Sequence, residues 1–192
     1  ALDAWEQFYK NISGVGFSAF IILFGSCMSG EYSKGTLVLL VTKGLPRSAV
    51  IFAKYTVAAL LMTVCYWAGF LATYCYTAYL WPGAMLSHVF TAAFYLWLIG
   101  FLYLSILLLG CVMFKQTFTS ILFTGGIVAI ISLLGIIEPL AKFNPFLLTS
   151  KNVDLISGAA SVSEFFVPAI LSVVITGAGL WAANIFFDRK QL

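Results

Sequence analysis

Long apolar runs separated by short polar segments make up most of the chain. Stretches of about 20 residues without a charged side chain recur, and this is the length that a membrane-spanning helix needs. The runs are apolar on every side, whereas a helix at the surface of a soluble protein keeps a polar face. The alternation typical of β-barrel strands is not evident. We therefore predict an all-α membrane protein, a polytopic helical bundle whose spans lie at about 14–30, 55–80, 90–113, 117–137 and 165–187.

Composition agrees with this class. The chain is 62% hydrophobic and 9% charged, whereas about 25% of the residues in an average soluble domain are charged. We expect residues 1–192 to form one membrane domain without a soluble one. The formal net charge of +3 resides in the segments between spans, so it does not indicate nucleic-acid binding.

Lysine and arginine are distributed unevenly between the two sets of loops. The first set carries Lys34, Lys43, Arg47, Lys54, Lys115, Arg189 and Lys190, and the second carries Lys10, Lys142 and Lys151. Positive residues accumulate in cytoplasmic loops. The distribution predicts that segment 31–54, the turn at Lys115 and the C-terminal tail are cytoplasmic, and that the N-terminus and segment 138–164 lie outside.

Each of the two predicted outer segments leads to one further prediction. An outer N-terminus without a signal peptide or an initiator methionine suggests that a first span is missing, that the native chain has six, and that residues 1–13 are an outer loop. In segment 138–164, prolines and glycines such as Pro139 and Gly158 interrupt apolar stretches. We predict short helices there, at the outer membrane surface before the last span.

Residue sets that support catalysis or metal binding are not found. The four cysteines fall inside predicted spans, and His88 is the single histidine, so we predict no catalytic residue and no metal site. The central parts of the spans lack the ionisable side chains that ion-coupled transporters normally use. Segment 30–36 resembles a phosphate-binding P-loop, but Thr36 occupies the position of the essential lysine. We expect no cofactor in this chain.

Aromatic side chains concentrate in the second predicted span. The candidates for a substrate path are Tyr66, Trp67, Phe70 and Tyr74. Aromatic belts at membrane interfaces and lipid-facing packing are common, and this interpretation remains open beside the path. Tyr66, Trp67 and Phe70 are predicted to lie deeper than an interfacial belt, so a belt explains them less well, and packing stays favoured over a path for an apolar or amphipathic molecule.

The most informative segment lies between the first two spans. An acidic residue follows the first span, then come Lys34-Gly35-Thr36-Leu37, an apolar stretch, Leu45-Pro46-Arg47, and Lys54 entering the next span. This order resembles the permease subunit of an ABC type-2 transporter, as do the Asn144-Pro145 pair and the charged tail 188–190. The resemblance implies that segment 31–54 contains a coupling helix docked on a separate ATPase subunit. The coupling residues that it implies are Glu31, Lys34, Gly35, Thr36, Arg47 and Lys54.

The same resemblance implies partners and a function. The partners would be a cytoplasmic nucleotide-binding ATPase subunit, which binds ATP and Mg, a second permease subunit, identical or homologous, and membrane lipid. The expected activity is outward transport of a hydrophobic or amphipathic cargo, with a small peptide or a drug favoured, across a bacterial plasma membrane. Two alternatives stay open: an ATP-independent channel, and a non-transporting scaffold or immunity subunit. A membrane-surface helix that binds anionic lipid is the alternative for segment 31–54.

Overall fold

The computed structural model describes residues 1–33, 47–82, 86–114, 116–137 and 141–189, and every regular element in them is helical. The helices are α1 (Leu2–Asn11), α2 (Phe17–Ser33), α3 (Arg47–Leu80), α4 (Val89–Met113), α5 (Thr117–Leu134), α6 (Leu147–Ser150), α7 (Asn152–Ile156) and α8 (Val162–Arg189). A π-helical turn, Ile12–Gly16, joins α1 to α2.

Five segments in the described part of the chain are long and apolar enough to cross a membrane. They are Leu2–Ser26, Ser48–Leu80, Val89–Met113, Thr117–Leu134 and Val162–Phe187. The prediction of an all-α polytopic membrane protein is confirmed. The two short helices α6 and α7 precede the last span, where short helices were expected.

Helix α4 forms the centre of the bundle. It is the most apolar of the spans and is buried along most of its length, with α8, α5, α2 and α3 packed around it. Gly110 allows the close approach of α5 to α4. A Cβ atom at Gly110 would lie 3.0 Å from Phe123 Cδ1 and 3.1 Å from the Ser120 carbonyl oxygen. Small residues at such positions let membrane helices pack through van der Waals contact.

The bundle has two distinct ends. At the first, the start of α3 packs on the last turns of α4 and α8 through an apolar cluster of Val50, Ile51, Leu108, Val112, Ala183 and Phe187. We call it the basic end, because Arg47, Lys54 and Arg189 belong to these helix ends. At the second, the Tyr9 hydroxyl donates to the Val89 carbonyl at 3.2 Å, and α6 and α7 pack on α4. We call it the connector end, because α6 and α7 belong to the connector, the segment between α5 and α8 (residues 135–161).

The N-terminal residues differ from the expected outer loop. Residues 2–11 form α1, which continues through the π-helical turn into α2. Trp5, Phe8 and Tyr9 are buried on one face of α1, while polar residues such as Glu6 lie on the other. This spacing of i, i+3 and i+4 is that of an amphipathic helix, and no proline or glycine interrupts residues 2–11, so the sequence did contain the signal.

The connector between α5 and α8 is attached by buried apolar side chains, Leu148, Leu155 and Ile156, and by one buried amide. Asn144 is 6% exposed, its Nδ2 donates to the Ile131 carbonyl at 2.7 Å, and its Oδ1 accepts from the Phe146 backbone N–H at 2.9 Å. These two bonds attach the connector to α5 and shape the turn that begins α6. The Asn144-Pro145 pair therefore has a structural role in this chain.

Candidate functional site

The predicted coupling residues belong to the basic end wherever the structure describes them. Glu31 lies in the last turn of α2, Arg47 begins α3, and Lys54 follows two turns later. Lys34, Gly35 and Thr36, together with the predicted short coupling helix, lie outside the described residues. The assignment of these six residues to an ATPase contact therefore stays a prediction.

The start of α3 is mechanically tied to the rest of the bundle. Val50 and Ile51, 8% and 2% exposed, pack in the same cluster as Leu108 of α4 and Phe187 of α8. The Tyr55 hydroxyl also donates to the Phe101 carbonyl, at 3.4 Å. Because interiors are close-packed and transmit displacement, a push on the segment that precedes Arg47 would reach α4 and α8.

Two of the four candidate path residues are part of a buried aromatic cluster near the connector end. Phe70 is 0% exposed, and its ring centroid lies 5.3 Å from that of Trp5 and 6.2 Å from that of Phe8. Tyr66 is 4% exposed, and its hydroxyl donates to the Ala93 carbonyl at 2.7 Å. In this chain the two side chains fasten α1 and α4 to α3.

The other two candidates lie on an outward-facing strip of rings along the seam between α3 and α4. We call it the aromatic strip. Tyr74 is 43% exposed, and its ring lies 5.6 Å from that of Phe90. Trp67 is half-buried and lies 6.3 Å from Trp97, which lies 5.5 Å from Phe94. The strip presents aromatic surface that is open to lipid or to a partner, and its two parts meet through the buried ring of Phe70.

Sequence reasoning did not single out the α4 side of this strip. Phe90, Phe94, Trp97 and Phe101 recur three to four residues apart, which is the spacing of one helix face. This signal is present in the sequence. It is difficult to recognise because α4 is apolar on every side, so no polar face marks the aromatic residues as one side of the helix.

A large crevice opens at the connector end. Its volume is about 1780 Å³, and its walls are the π-helical turn, the end of α5, the connector and the start of α8. Apolar lining includes Tyr103, Phe146 and Val167, while Lys142, Lys151 and Glu164 provide its charged groups. None of these charged residues was a candidate site residue, because exposed charges next to a span are common at membrane surfaces.

Catalytic and metal chemistry have little support among the residues described. In that part of the chain no group of three or more His, Cys, Asp and Glu side chains lies close enough to hold a metal ion. Cys65 and Cys75 are exposed along α3, and Cys111 is buried in α4. The described residues present three features: a basic end, an aromatic strip and a crevice.

Comparison with known proteins identifies the family. A family model described as "ABC-2 family transporter protein" matches residues 15–155. The matched region begins in the π-helical turn, contains α2 to α6 and ends within α7, so it includes segment 31–54 and the aromatic strip. Among curated proteins and solved structures, none matches significantly. The family match covers well over half of the chain and agrees with the helical bundle. The chain belongs to the ABC-2 family of transporter proteins and is a multi-pass membrane permease subunit.

Proposed function

We propose that this permease subunit exports a hydrophobic or amphipathic cargo, such as a small peptide or a drug, using energy from a separate ATPase subunit. The family match carries this proposal. The ATPase would bind ATP and Mg at the cytoplasmic side of a bacterial plasma membrane, and a second permease subunit, identical or homologous, would complete the path. This chain supplies the spans, the cargo surface and the coupling segment 31–54.

The packing of α3 suggests how force would be transferred. A displacement of the coupling segment acts first on Arg47, the first residue of α3. Val50 and Ile51 lie one turn later against α4 and α8, so these three helices would tilt together at the basic end. The buried rings at the other end of α3, such as Phe70, would act as the fixed point of that movement.

The aromatic strip favours an apolar or amphipathic cargo. Trp67, Tyr74 and Phe90 present ring surface outward, and no charged side chain occurs in α4 or in α3 after Lys54. Aromatic rings bind apolar surface and can also attract a cation over their faces. A strongly anionic glycan would find no compensating positive charge there. We therefore place the cargo path along Trp67 and Tyr74 and treat Tyr66 and Phe70 as its structural support.

The test is ATP hydrolysis by the full-length permease reconstituted in lipid with its ATPase subunit, measured across peptides, drugs and glycolipids. Stimulation by an amphipathic peptide or a drug supports the proposal. Stimulation by a polar glycan alone would refute the cargo class. Cargo flux without ATP would favour a channel, and cargo binding without any ATPase response would favour a scaffold or immunity subunit.

A further inference from the structure

We propose that the crevice at the connector end binds one phospholipid, with its phosphate toward Lys142 and Lys151, a headgroup donor toward Glu164, and an acyl chain along the apolar wall. The proposal concerns a bound lipid of the permease itself. It is independent of the transported cargo and of the ATPase subunit.

The size and depth of the crevice suit an amphiphile. Its volume of about 1780 Å³ exceeds the range of about 300–1,000 Å³ typical of small-molecule pockets. Its wall includes Tyr103, which lies about 20 Å along α4 from Val89 at 1.5 Å per residue. The Tyr103 ring packs edge-on against Phe146, with 5.7 Å between centroids. The crevice therefore extends from the rim of the bundle to the depth of lipid tails.

The rim carries the charges that a phospholipid headgroup requires. Lys142 and Lys151 are exposed side chains that line the crevice, and neither forms an ion pair with another described residue. Lysine side chains near a membrane surface attract anionic lipid groups, and the phosphate of a phospholipid headgroup is such a group. The Glu164 Oε1 accepts from the Ser161 hydroxyl at 3.3 Å, and its second oxygen can accept from an ammonium or hydroxyl of the headgroup.

Two further observations mark the crevice as a prepared site. Thr149 lines the crevice, and its Oγ1 lies beneath the crevice surface without a hydrogen-bond partner among the described residues, whereas buried hydroxyls are normally paired. Ser13 and Gly14 of the π-helical turn form the opposite wall. Such turns are frequent at functional sites. The bonds of Asn144 to α5 hold the connector side of the rim in place.

The experiment measures retained lipid by native mass spectrometry of the full chain, titrated with phosphatidylethanolamine or with phosphatidylcholine of the same acyl chains. Phosphatidylethanolamine has an ammonium that donates hydrogen bonds, and phosphatidylcholine has none. We expect one tightly retained phosphatidylethanolamine, preferred about two- to fivefold over phosphatidylcholine, the range given by an exposed ion pair.

Charge variants with matched controls test the headgroup. Lys142→Gln combined with Lys151→Gln should weaken retention of phosphatidylethanolamine about tenfold or more, and Glu164→Gln should abolish the preference over phosphatidylcholine. Lys10→Gln and Glu6→Gln, exposed on α1 and outside the crevice, should behave as the wild type. Equal retention by all variants would mean ordinary surrounding lipid and would overturn the proposal.

A size variant tests the acyl chain. Val167→Trp would fill the crevice and should prevent retention, whereas Val173→Trp, exposed on the same helix and outside the lining, should not. Retained lipid in Val167→Trp would overturn the acyl-chain placement. A free phosphate ion could bind the same two lysines, so inorganic phosphate is added as a competitor. If phosphate at equal concentration displaces the lipid, the site binds free phosphate and the lipid proposal is wrong.

Discussion

At the scale of single residues, the buried tyrosine Tyr66 shows how a polar side chain can hold two membrane helices together. Its ring packs in the aromatic cluster while its hydroxyl reaches the Ala93 carbonyl on α4. A buried Tyr needs a partner for its hydroxyl, and here α4 supplies one. Because Tyr66 is only 4% exposed, this hydroxyl is not open to a passing cargo.

Removing this one bond should lower stability slightly. We expect Tyr66→Phe to reduce the free energy of unfolding by about 0.5–1.5 kcal/mol, because the ring stays while one hydrogen bond is lost. Tyr79→Phe, at an 85% exposed position, should change it by less. Thermal unfolding in the same lipid measures both variants. An unchanged transition for Tyr66→Phe would show that its hydroxyl does not contribute to stability.

Two aromatic residues one turn apart should separate stability from cargo recognition. Phe70→Ala removes a fully buried ring and should cost about 3–5 kcal/mol through the lost transfer energy and the cavity left behind. Tyr74→Ala removes an exposed ring, should change stability by about 0.5 kcal/mol or less, and should alter which cargo stimulates the ATPase. The same cargo profile in Tyr74→Ala and wild type would contradict the proposed path.

At the scale of elements, close contact between α4 and α5 depends on Gly110. Nothing larger than hydrogen fits there without moving Phe123 or the Ser120 backbone. Ser120 adds a side-chain bond at the same level, since its hydroxyl donates to the Gly110 carbonyl at 3.2 Å. The short connection around residue 115 and this contact together make α4 and α5 an antiparallel pair.

Filling this contact should loosen the pair. We expect Gly110→Ala to destabilise the protein by about 1–3 kcal/mol, since the added methyl group overpacks against backbone that cannot rotate away. Gly125→Ala is the matched control, because a Cβ atom there meets nothing within 4 Å. Thermal unfolding of both variants in lipid is the measurement. Similar transitions for the two would mean that α5 shifts freely on α4.

The connector has little regular structure before α6, and there Asn144 attaches it to α5. Asn144→Ala should leave the Ile131 carbonyl and the Phe146 N–H without their side-chain partner and cost about 1–3 kcal/mol locally. Faster hydrogen exchange of backbone amides in residues 141–151 is the expected result. Asn11→Ala, at an exposed position, should leave that exchange as in the wild type. Equal exchange in both variants would show that packing alone holds the connector.

At the scale of the whole molecule, the two ends of the bundle differ in what they contain. The basic end contains the ends of α2, α4 and α8 and the starts of α3 and α5. The connector end contains the aromatic rings of α1 and the crevice. A transporter that draws its energy from a partner must link such ends through rigid helices. The long helix α3, Arg47–Leu80, connects the proposed point of force to the aromatic strip.

A change in the coupling segment should therefore affect energy transfer and leave the fold intact. We expect Gly35→Pro to bring cargo-stimulated ATP hydrolysis down to the unstimulated level, because proline fixes φ and removes a backbone donor. Membrane insertion serves as the control, and co-purification shows whether the variant still binds the ATPase subunit. Normal cargo-stimulated hydrolysis in Gly35→Pro would contradict the assignment of this segment to coupling.

Sequence alone determined the class of this protein. Apolar runs of spanning length specify membrane helices because unpaired backbone groups are too costly in lipid. The order of residues around Gly35 indicated the family, which the family match confirms. The i, i+3, i+4 pattern of Trp5, Phe8 and Tyr9 also specified α1, although we expected a loop there.

Only the tertiary structure decided which side of each span meets the protein. A helix that is apolar all round has no polar face to mark its buried side, so Phe70 and Tyr74 look alike in sequence, yet one is enclosed and the other exposed. The crevice between Lys142, Lys151 and Glu164 likewise depends on how the connector folds back between α5 and α8. Charges far apart in a sequence form a site only when packing brings their helices together.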